Sequence, residues 1–394
     1  MVIVSCALVL LALAVCIPVA VLAVEVIAAV GLPGRRSARE PAGRPEVAVL
    51  VPAHNESVGL LPTLSDIKGQ LHPGDRIVVV ADNCTDDTAN VAAAAGAEVV
   101  ERKDLTKVGK GYALDCGLRH LRNNPPPIVI AIDADCRLSP GTIDQLARTA
   151  ASSGRPAQAL NLMTRPDTSQ VNYQVAEFAW RVKNLVRPLG LAALGLPCQL
   201  LGTGMAFPWR VIQGTGLASG EVVEDLKLGL DLAAAGQPPI FCPAAMVTST
   251  FPQSEAGARH QRERWEHGHL ALLLEIGPRL ACMAVRRGDV RLLALVADLG
   301  VPPLSALAML VVSTVVITAL AALLGAAATP FWIAVLGLML FGLAVAIGWF
   351  AHGREILPLA ALARLGPYLL EKLRIYRRFL SGTRASRWIR TDRT

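Results

Sequence analysis

Two carboxylates one residue apart close an apolar run, Ile128-Val129-Ile130-Ala131-Ile132-Asp133-Ala134-Asp135. The run reads as a buried strand of a parallel sheet, because such strands are apolar on both faces. Side chains at i and i+2 share a face, so Asp133 and Asp135 converge at the strand's carboxyl end, where open α/β sheets place their ligands. Hard carboxylate oxygens there suit Mg²⁺ or Mn²⁺ carrying a phosphorylated substrate. A plainer reading competes, in which the pair only caps the turn around Ser139-Pro140-Gly141. Val223-Glu224-Asp225 opens a helical pattern of Leu226, Leu228, Leu230 and Leu232 closed by Gly236. Acids in a first turn also answer the helix dipole without any catalytic duty. Gln261-Arg262-Glu263-Arg264-Trp265 sets a guanidinium able to grip a diphosphate bidentately beside a flat indole wall for a ring. Its rival is an Arg/Trp belt at a membrane surface.

The elements that position these residues alternate. Val47 to Val51 reads as a strand stopped by Pro52, followed by the polar loop Ala53-His54-Asn55-Glu56-Ser57 and a helical pattern of Leu60, Leu61, Leu64 and Ile67. Arg76 to Val80 is a second strand. It ends in the acidic, hydroxyl-rich loop Asp82-Asn83-Cys84-Thr85-Asp86-Asp87-Thr88, where Thr85 or Asp86 can cap the next helix. Glu98 to Glu101 is a third strand, and Lys110-Gly111 opens a helix before the run that ends in Asp133 and Asp135. Strand–helix alternation with loops at strand carboxyl ends predicts a doubly wound α/β layout. Tyr173 to Val186 is amphipathic, suiting a helix beside a cleft or a membrane surface. His260, His267 and His269 lack ligand spacing and read as interfacial residues rather than a metal cluster.

Hydrophobic residues make up 53% of the 394-residue chain and concentrate at its ends, which predicts an integral membrane protein with a soluble middle. Residues 2–24 are apolar and uncharged, long enough to span a bilayer; a cleaved signal peptide is weakened by the missing basic n-region. Arg35, Arg36, Arg39 and Arg44 follow, which places this flank inside and the N-terminus outside. Glu25 lies near the inner end, where an acid reaches the interface cheaply. Residues 270–295 alternate apolar runs with Arg279, Arg286, Arg287 and Arg291, as interfacial helices do. Val301 to Ala328 and Phe331 to Phe350 are charge-free spans, joined by Thr329-Pro330. The net charge of +7 is matched by ten basic and three acidic residues in 352–394 alone, a lipid-facing tail rather than a nucleic-acid surface. The eight cysteines form no C-x-x-C pair, so reduced thiols and no structural zinc are expected. The boundaries read as a span over 1–30, a basic linker over 31–45, a cytosolic domain over 46–258, interfacial helices over 259–295, a hairpin of spans over 296–350 and a basic tail over 351–394.

Over residues 46–270 the chain resembles the family 2 glycosyltransferases of the glycosyltransferase A fold. Pro52-Ala53-His54-Asn55-Glu56 is similar to the family's opening Pro-x-x-Asn-Glu loop, with His54 where Tyr is commoner. Asp82 stands where the family places the acid that reads the uracil ring, and Lys110-Gly111 matches the basic segment beside base and phosphates. Asp133-Ala134-Asp135 matches the metal motif. Gly202-Thr203-Gly204 resembles the acceptor-side loop, where small residues let backbone approach the sugar; an ordinary turn is the alternative. Asp225 matches the general base, with Glu224 beside it. Gln261, Arg264 and Trp265 match the Gln-x-x-Arg-Trp motif of membrane-bound glycan synthases and lipid glycosyltransferases. The resemblance implies inverting transfer from a nucleotide sugar, most naturally a UDP-sugar, with Mg²⁺ or Mn²⁺. Its acceptor would be a membrane lipid or lipid-linked glycan, in a bacterial plasma membrane, with the catalytic domain cytosolic and oligomers allowed. A processive polysaccharide synthase is the alternative, for which three spans are few. A non-catalytic nucleotide-sugar-binding scaffold is a third reading, opposed by the presence of every expected acid. The layout is similar to ceramide glucosyltransferases and to bacterial exopolysaccharide enzymes.

Overall fold

The apolar runs pair as their composition dictates. In the computed structural model, which describes residues 2–33, 43–166, 171–218, 220 and 223–362, they build one eight-stranded sheet. Its strands are β1 (Val47–Ala53), β2 (Arg76–Asp82), β3 (Glu98–Arg102), β4 (Ile128–Ala131), β5 (Arg137–Leu138), β6 (Ala157–Thr164), β7 (Met205–Pro208) and β8 (Ile240–Thr250). The order is β3-β2-β1-β4-β7-β6-β8-β5, with β3, β2, β1 and β4 parallel. Sequence order therefore reverses between β1 and β4, the switch point at which such sheets open a crevice at their carboxyl ends. One apolar core lies on each face of the sheet. Val49, Ile130, Ile143 and Leu146 belong to one, and Leu50, Val80, Leu114, Phe207 and Leu228 to the other. Gly117 lets the Lys110–Leu121 helix lie close on the second face, because a Cβ there would overlap Leu50.

The sheet is wholly parallel in its first half only; beyond β4 it is mixed, with β6 parallel to β8. β7 runs antiparallel to both β4 and β6, pairing Met205 with Ala131, so the residues just before Met205 return to the carboxyl edge of β4. Two local expectations are corrected. Pro52 does not stop β1, which continues to Ala53 in register with β2. The β4 ladder has already ended at Leu50, so the missing proline N–H costs no bond there. Arg44, expected in the basic linker over 31–45, is drawn into the sheet unit. Its buried guanidinium binds Asp75 at 2.5 Å and also pairs with Asp144, both within the sheet unit.

The chain divides into two compact units: the sheet unit, with residues 43–166, 197–218, 220 and 223–268, and a helical unit, with residues 2–33, 171–196 and 269–362. The Gln261–Trp265 stretch goes with the sheet. In the helical unit, helices Val2–Gly31, Leu304–Leu323 and Thr329–His352 are long and apolar enough to span a membrane. Thr329-Pro330 begins the last of these, so the link is 324–328 instead. The amphipathic segment is a helix, Val171–Arg181, prolonged by a π-helical turn, Val182–Val186, and a short helix, Arg187–Ala193. Phe178, Val182 and Val186 pack with Val19, Leu22 and Val26 of the first helix. Glu25 does not reach an interface: it is buried and accepts from Arg187 Nε at 2.7 Å, while Arg187 Nη2 donates to Asp298 Oδ1 at 2.6 Å. Gly190 makes this approach possible, since a Cβ would overlap the Glu25 carbonyl. His267 and His269 are buried rather than interfacial. His269 Nε2 bonds the Leu299 carbonyl at 3.0 Å, and burial pushes its pKa down to about 3. Arg35, Arg36, Arg39 and the basic tail beyond Leu362 lie outside the described residues.

Candidate active site

Asp133 and Asp135 come together for a different reason than strand alternation. β4 stops at Ala131, and Asp133 to Cys136 form a turn in which Cys136 N donates to the Asp133 carbonyl at 3.2 Å. The ligating atoms of Asp133, Asp135 and Cys136 lie within 4.8 Å of one another. Burial pushes the Cys136 thiol up to about 12, so the sulfur stays protonated. What remains is a pair of half-buried carboxylates, a donor set that fits Mg²⁺ or Mn²⁺ and not a thiophilic metal.

Lys110 opens its helix beside them. Its Nζ lies 2.5 Å from Asp133 Oδ1 and donates to the Gly202 carbonyl at 2.7 Å. Burial opposes its charge, but Asp133, Glu224 and Asp225 together hold its pKa above the usual value. The Gly202–Gly204 loop, returned by β7, is pinned from several sides. Asp133 N donates to Thr203 Oγ1 at 3.0 Å. Gln158 Nε2 donates to Thr203 O at 2.9 Å, Gln158 Oε1 accepts from Leu201 N at 2.8 Å, and Asn161 Nδ2 donates to Leu201 O at 2.8 Å. Gly202 has φ +88°, and a Cβ on it would sit 3.2 Å from Asp225 Oδ2. The loop and Asp225 are therefore neighbours.

Glu224 and Asp225 start the Glu224–Ala234 helix, whose Leu226, Leu228, Leu230 and Leu232 are all buried. Burial first, and Asp225 second, push the Glu224 pKa up to about 7, against the pull of Lys110. Glu224 is also the charge that opposes the burial-driven lowering of the Arg264 pKa. The packing reason is Gly268, where a Cβ would stand 2.8 Å from Val223 Cγ1. This close contact lays the Gln261–Trp265 helix against the residue preceding Glu224. Gln261 Oε1, Arg262 Nε and Arg264 Nε are buried without a hydrogen-bond partner among the described residues, which leaves them for a ligand. Trp265 is half-buried on the same helix.

A second group lines the same sheet edge. Asp82 ends β2, and its Oδ1 binds Arg102 Nη1 at 2.5 Å. Burial raises the Asp82 pKa in spite of that partner. Arg102 also lies over the Tyr112 ring, 5.3 Å from its centroid. His54 Nδ1 bonds the Asp82 carbonyl at 2.6 Å. Asn55, at φ +55°, accepts from Thr85 N at 2.7 Å, and Glu56 N donates to Thr88 Oγ1 at 2.9 Å. Asp86 Oδ1 accepts from Thr88 N at 3.1 Å, but the N-cap position of the Thr88–Ala94 helix is Asp87, whose side chain makes no capping bond. The structure thus joins Lys110, Asp133, Gly202, Thr203, Glu224, Asp225 and Arg264 in one cluster, with His54, Asn55, Glu56 and Asp82 along the edge. Sequence reasoning missed Arg102, Gln158 and Asn161. The two amides, at i and i+3 in the otherwise apolar stretch Ala157–Met163, were the available signal.

The family model described as "Glycosyltransferase like family 2" matches residues 45–268. A probable glycosyltransferase of Bacillus subtilis is 25% identical over 59% of this chain, which spans 57% of that protein's length. An uncharacterised glycosyltransferase of Mycobacterium tuberculosis is 31% identical over 42% of this chain and 82% of its own. Among solved structures, a mannosyltransferase from Pyrobaculum calidifontis in complex with GDP-Man and Mn²⁺ superposes with a TM-score of 0.51. The match is 18% identical and covers 86% of this chain and 98% of that one, a likeness of fold.

Proposed function

This chain belongs to the family 2-like glycosyltransferases and has their A-type mixed α/β fold, and on that premise we propose an inverting transferase that moves a sugar from a UDP-sugar to a membrane lipid or lipid-linked glycan. The observation that carries the proposal is the convergence of Asp133, Lys110, Gly202, Glu224, Asp225 and Arg264, drawn from separate stretches, into one cluster at the sheet's switch point. Asp133 and Asp135 would hold Mg²⁺ or Mn²⁺, which when bound offsets the charge of the donor's diphosphate.

The chain's own groups do the rest. Asp82 keeps Oδ2 for an imide N–H of the base, because Arg102 occupies Oδ1. The loop of Pro52, His54, Asn55 and Glu56 borders that pocket. Lys110 and Arg264 supply fixed positive charge for the departing diphosphate, in a site where burial strengthens each interaction. Asp225 accepts the acceptor hydroxyl's proton as that oxygen attacks C1 opposite the leaving group, so one displacement inverts the centre. The Gly202–Thr203 loop admits the acceptor past a side-chain-free position, with Gln261 and Trp265 as its wall. Three candidate spans support single transfer at a bilayer surface, with the sheet unit in the cytosol.

The test is UDP release by purified protein over a panel of UDP-sugars and membrane lipids, with the product's mass read in parallel. UDP binding without release from any donor would leave a binding protein and remove the enzyme.

A further inference from the structure

Helices Gly277–Arg287 and Val290–Leu299 form a hairpin within the helical unit. Gly288 turns it in the left-handed region, and the Asp289 carboxylate caps the second helix by accepting from Leu292 N at 3.0 Å. The inner face is apolar and buried, with Leu280, Ala284, Leu292, Leu295 and Leu299 each no more than 4% exposed. The outer face has a different chemistry. Arg279, Arg286, Arg287 and Arg291 are exposed there, interleaved with Val285 and Val290, each 68% exposed, and Leu293, 43% exposed. Both acids of residues 277–299 face other duties: Asp289 caps its helix, and buried Asp298 binds Arg187. The outer face therefore carries net positive charge among exposed valines.

Water suits the arginines of that pattern but not the exposed Val285, Val290 and Leu293. A bilayer surface suits both, since β-branched side chains enter the acyl boundary while guanidinium groups stay at phosphate depth. The hairpin is also tethered at such a surface, because Leu299 is followed within a few residues by the candidate span Leu304–Leu323. We propose that the outer face of the 277–299 hairpin is a seat for anionic phospholipid, with Arg279, Arg286 and Arg291 gripping headgroups and Val285, Val290 and Leu293 entering the acyl layer. Charge complementarity selects the lipid: Arg279, Arg286 and Arg291, on a hairpin whose own two acids are engaged elsewhere, favour headgroups of net negative charge over zwitterionic ones.

This inference rests on the membrane reading above, and its readout is lipid contact rather than sugar transfer. Cys282 is exposed on the first helix of the hairpin and serves as the probe; Cys6, the other exposed cysteine, is replaced by serine. The full chain, labelled at Cys282 with a fluorophore, is placed in nanodiscs of phosphatidylcholine and phosphatidylglycerol. Each preparation contains equal amounts of either spin-labelled phosphatidylcholine or spin-labelled phosphatidylglycerol as quencher. Labelled phosphatidylglycerol should quench at least about three-fold more strongly. The ratio should fall toward one in R279Q/R286Q/R291Q and, for the unsubstituted chain, in high salt. Equal quenching by the two lipids, quenching by neither, or a preference that survives the triple substitution would each overturn the proposal. UDP affinity measured on the same discs reports separately on the nucleotide site, so loss of lipid preference with UDP binding intact indicts this inference alone.

Discussion

Replacing Gly202 by alanine should uncouple the loop from the chemistry. At φ +88° an L-residue costs roughly 1–2 kcal/mol of backbone strain. The new methyl would also stand 3.2 Å from Asp225 Oδ2 and 3.8 Å from Lys110 Nζ. The loop cannot retreat, because Lys110, the Asp133 backbone, Gln158 and Asn161 all bind it. The carboxylate of Asp225 must give way by a few tenths of an ångström. A misplacement of about 1 Å costs on the order of 10²-fold in a positioned reaction, so a fall in turnover of roughly 10-fold to 10²-fold is expected. Melting should drop by only a few degrees, and UDP affinity should change little, since the displaced group faces the acceptor. Gly214→Ala is the control: its Cβ meets nothing within 4 Å. UDP release, calorimetry with UDP and thermal melting on both variants decide the matter. Turnover within two-fold of wild type, together with a lowered melting point, would show that Asp225 does not act at this loop.

Asp225→Asn should keep near-normal UDP affinity while turnover falls by about 10²–10⁴-fold, as removal of a general base requires; a change of only a few-fold moves the role to Glu224. Turnover should vanish in EDTA and return with Mn²⁺ or Mg²⁺, and Asp135→Asn should weaken donor binding only when the metal is present; full activity in chelator excludes the assignment. The Glu224 pKa is raised to about 7 in the folded chain, so the folded state binds more protons than the unfolded state above the ordinary value of 4.5. Stability should therefore fall as pH rises between those values, and melting curves of Glu224→Gln should lose that slope. Arg187→Met leaves Glu25 and Asp298 buried without their cation and should cost about 3–5 kcal/mol, whereas the triple change E25Q/R187M/D298N should recover much of it; equal melting of both variants would deny that the network is coupled.

Runs of Val and Ile disclosed β1, β2 and β4 directly, and the paired acids were readable by type. Their geometry was less so. Asp133 and Asp135 meet through a turn, not through strand alternation, because β4 ends at Ala131. The antiparallel return of β7 was hidden because Met205-Ala206-Phe207 is too short a run to announce its direction. Without that return, Thr203 has no visible reason to bind Asp133. Arg44, Glu25 and His269 were misread for a shared reason. A charged or polar residue near an apolar segment reads as interfacial, or as part of a basic linker, unless its partner is known. The partners, Asp75, Arg187 and the Leu299 carbonyl, lie far off in the chain or, as with Asp75, across a strand.

The Glu25–Arg187 bond joins residues 162 positions apart, and this has a bearing on biosynthesis. The first helix leaves the ribosome long before its partner exists. At ordinary elongation rates the interval is roughly 10–30 s. During that time Glu25 must be neutral, hydrated or held by another protein, since a lone carboxylate is costly in lipid. Asp298 arrives later still. The order of synthesis thus makes the helical unit the last part to close, with most of the sheet-forming chain emerging while the first helix waits. Crosslinking of a stalled nascent chain should find the first helix beside an insertase until Arg187 has emerged, and beside its own chain afterwards.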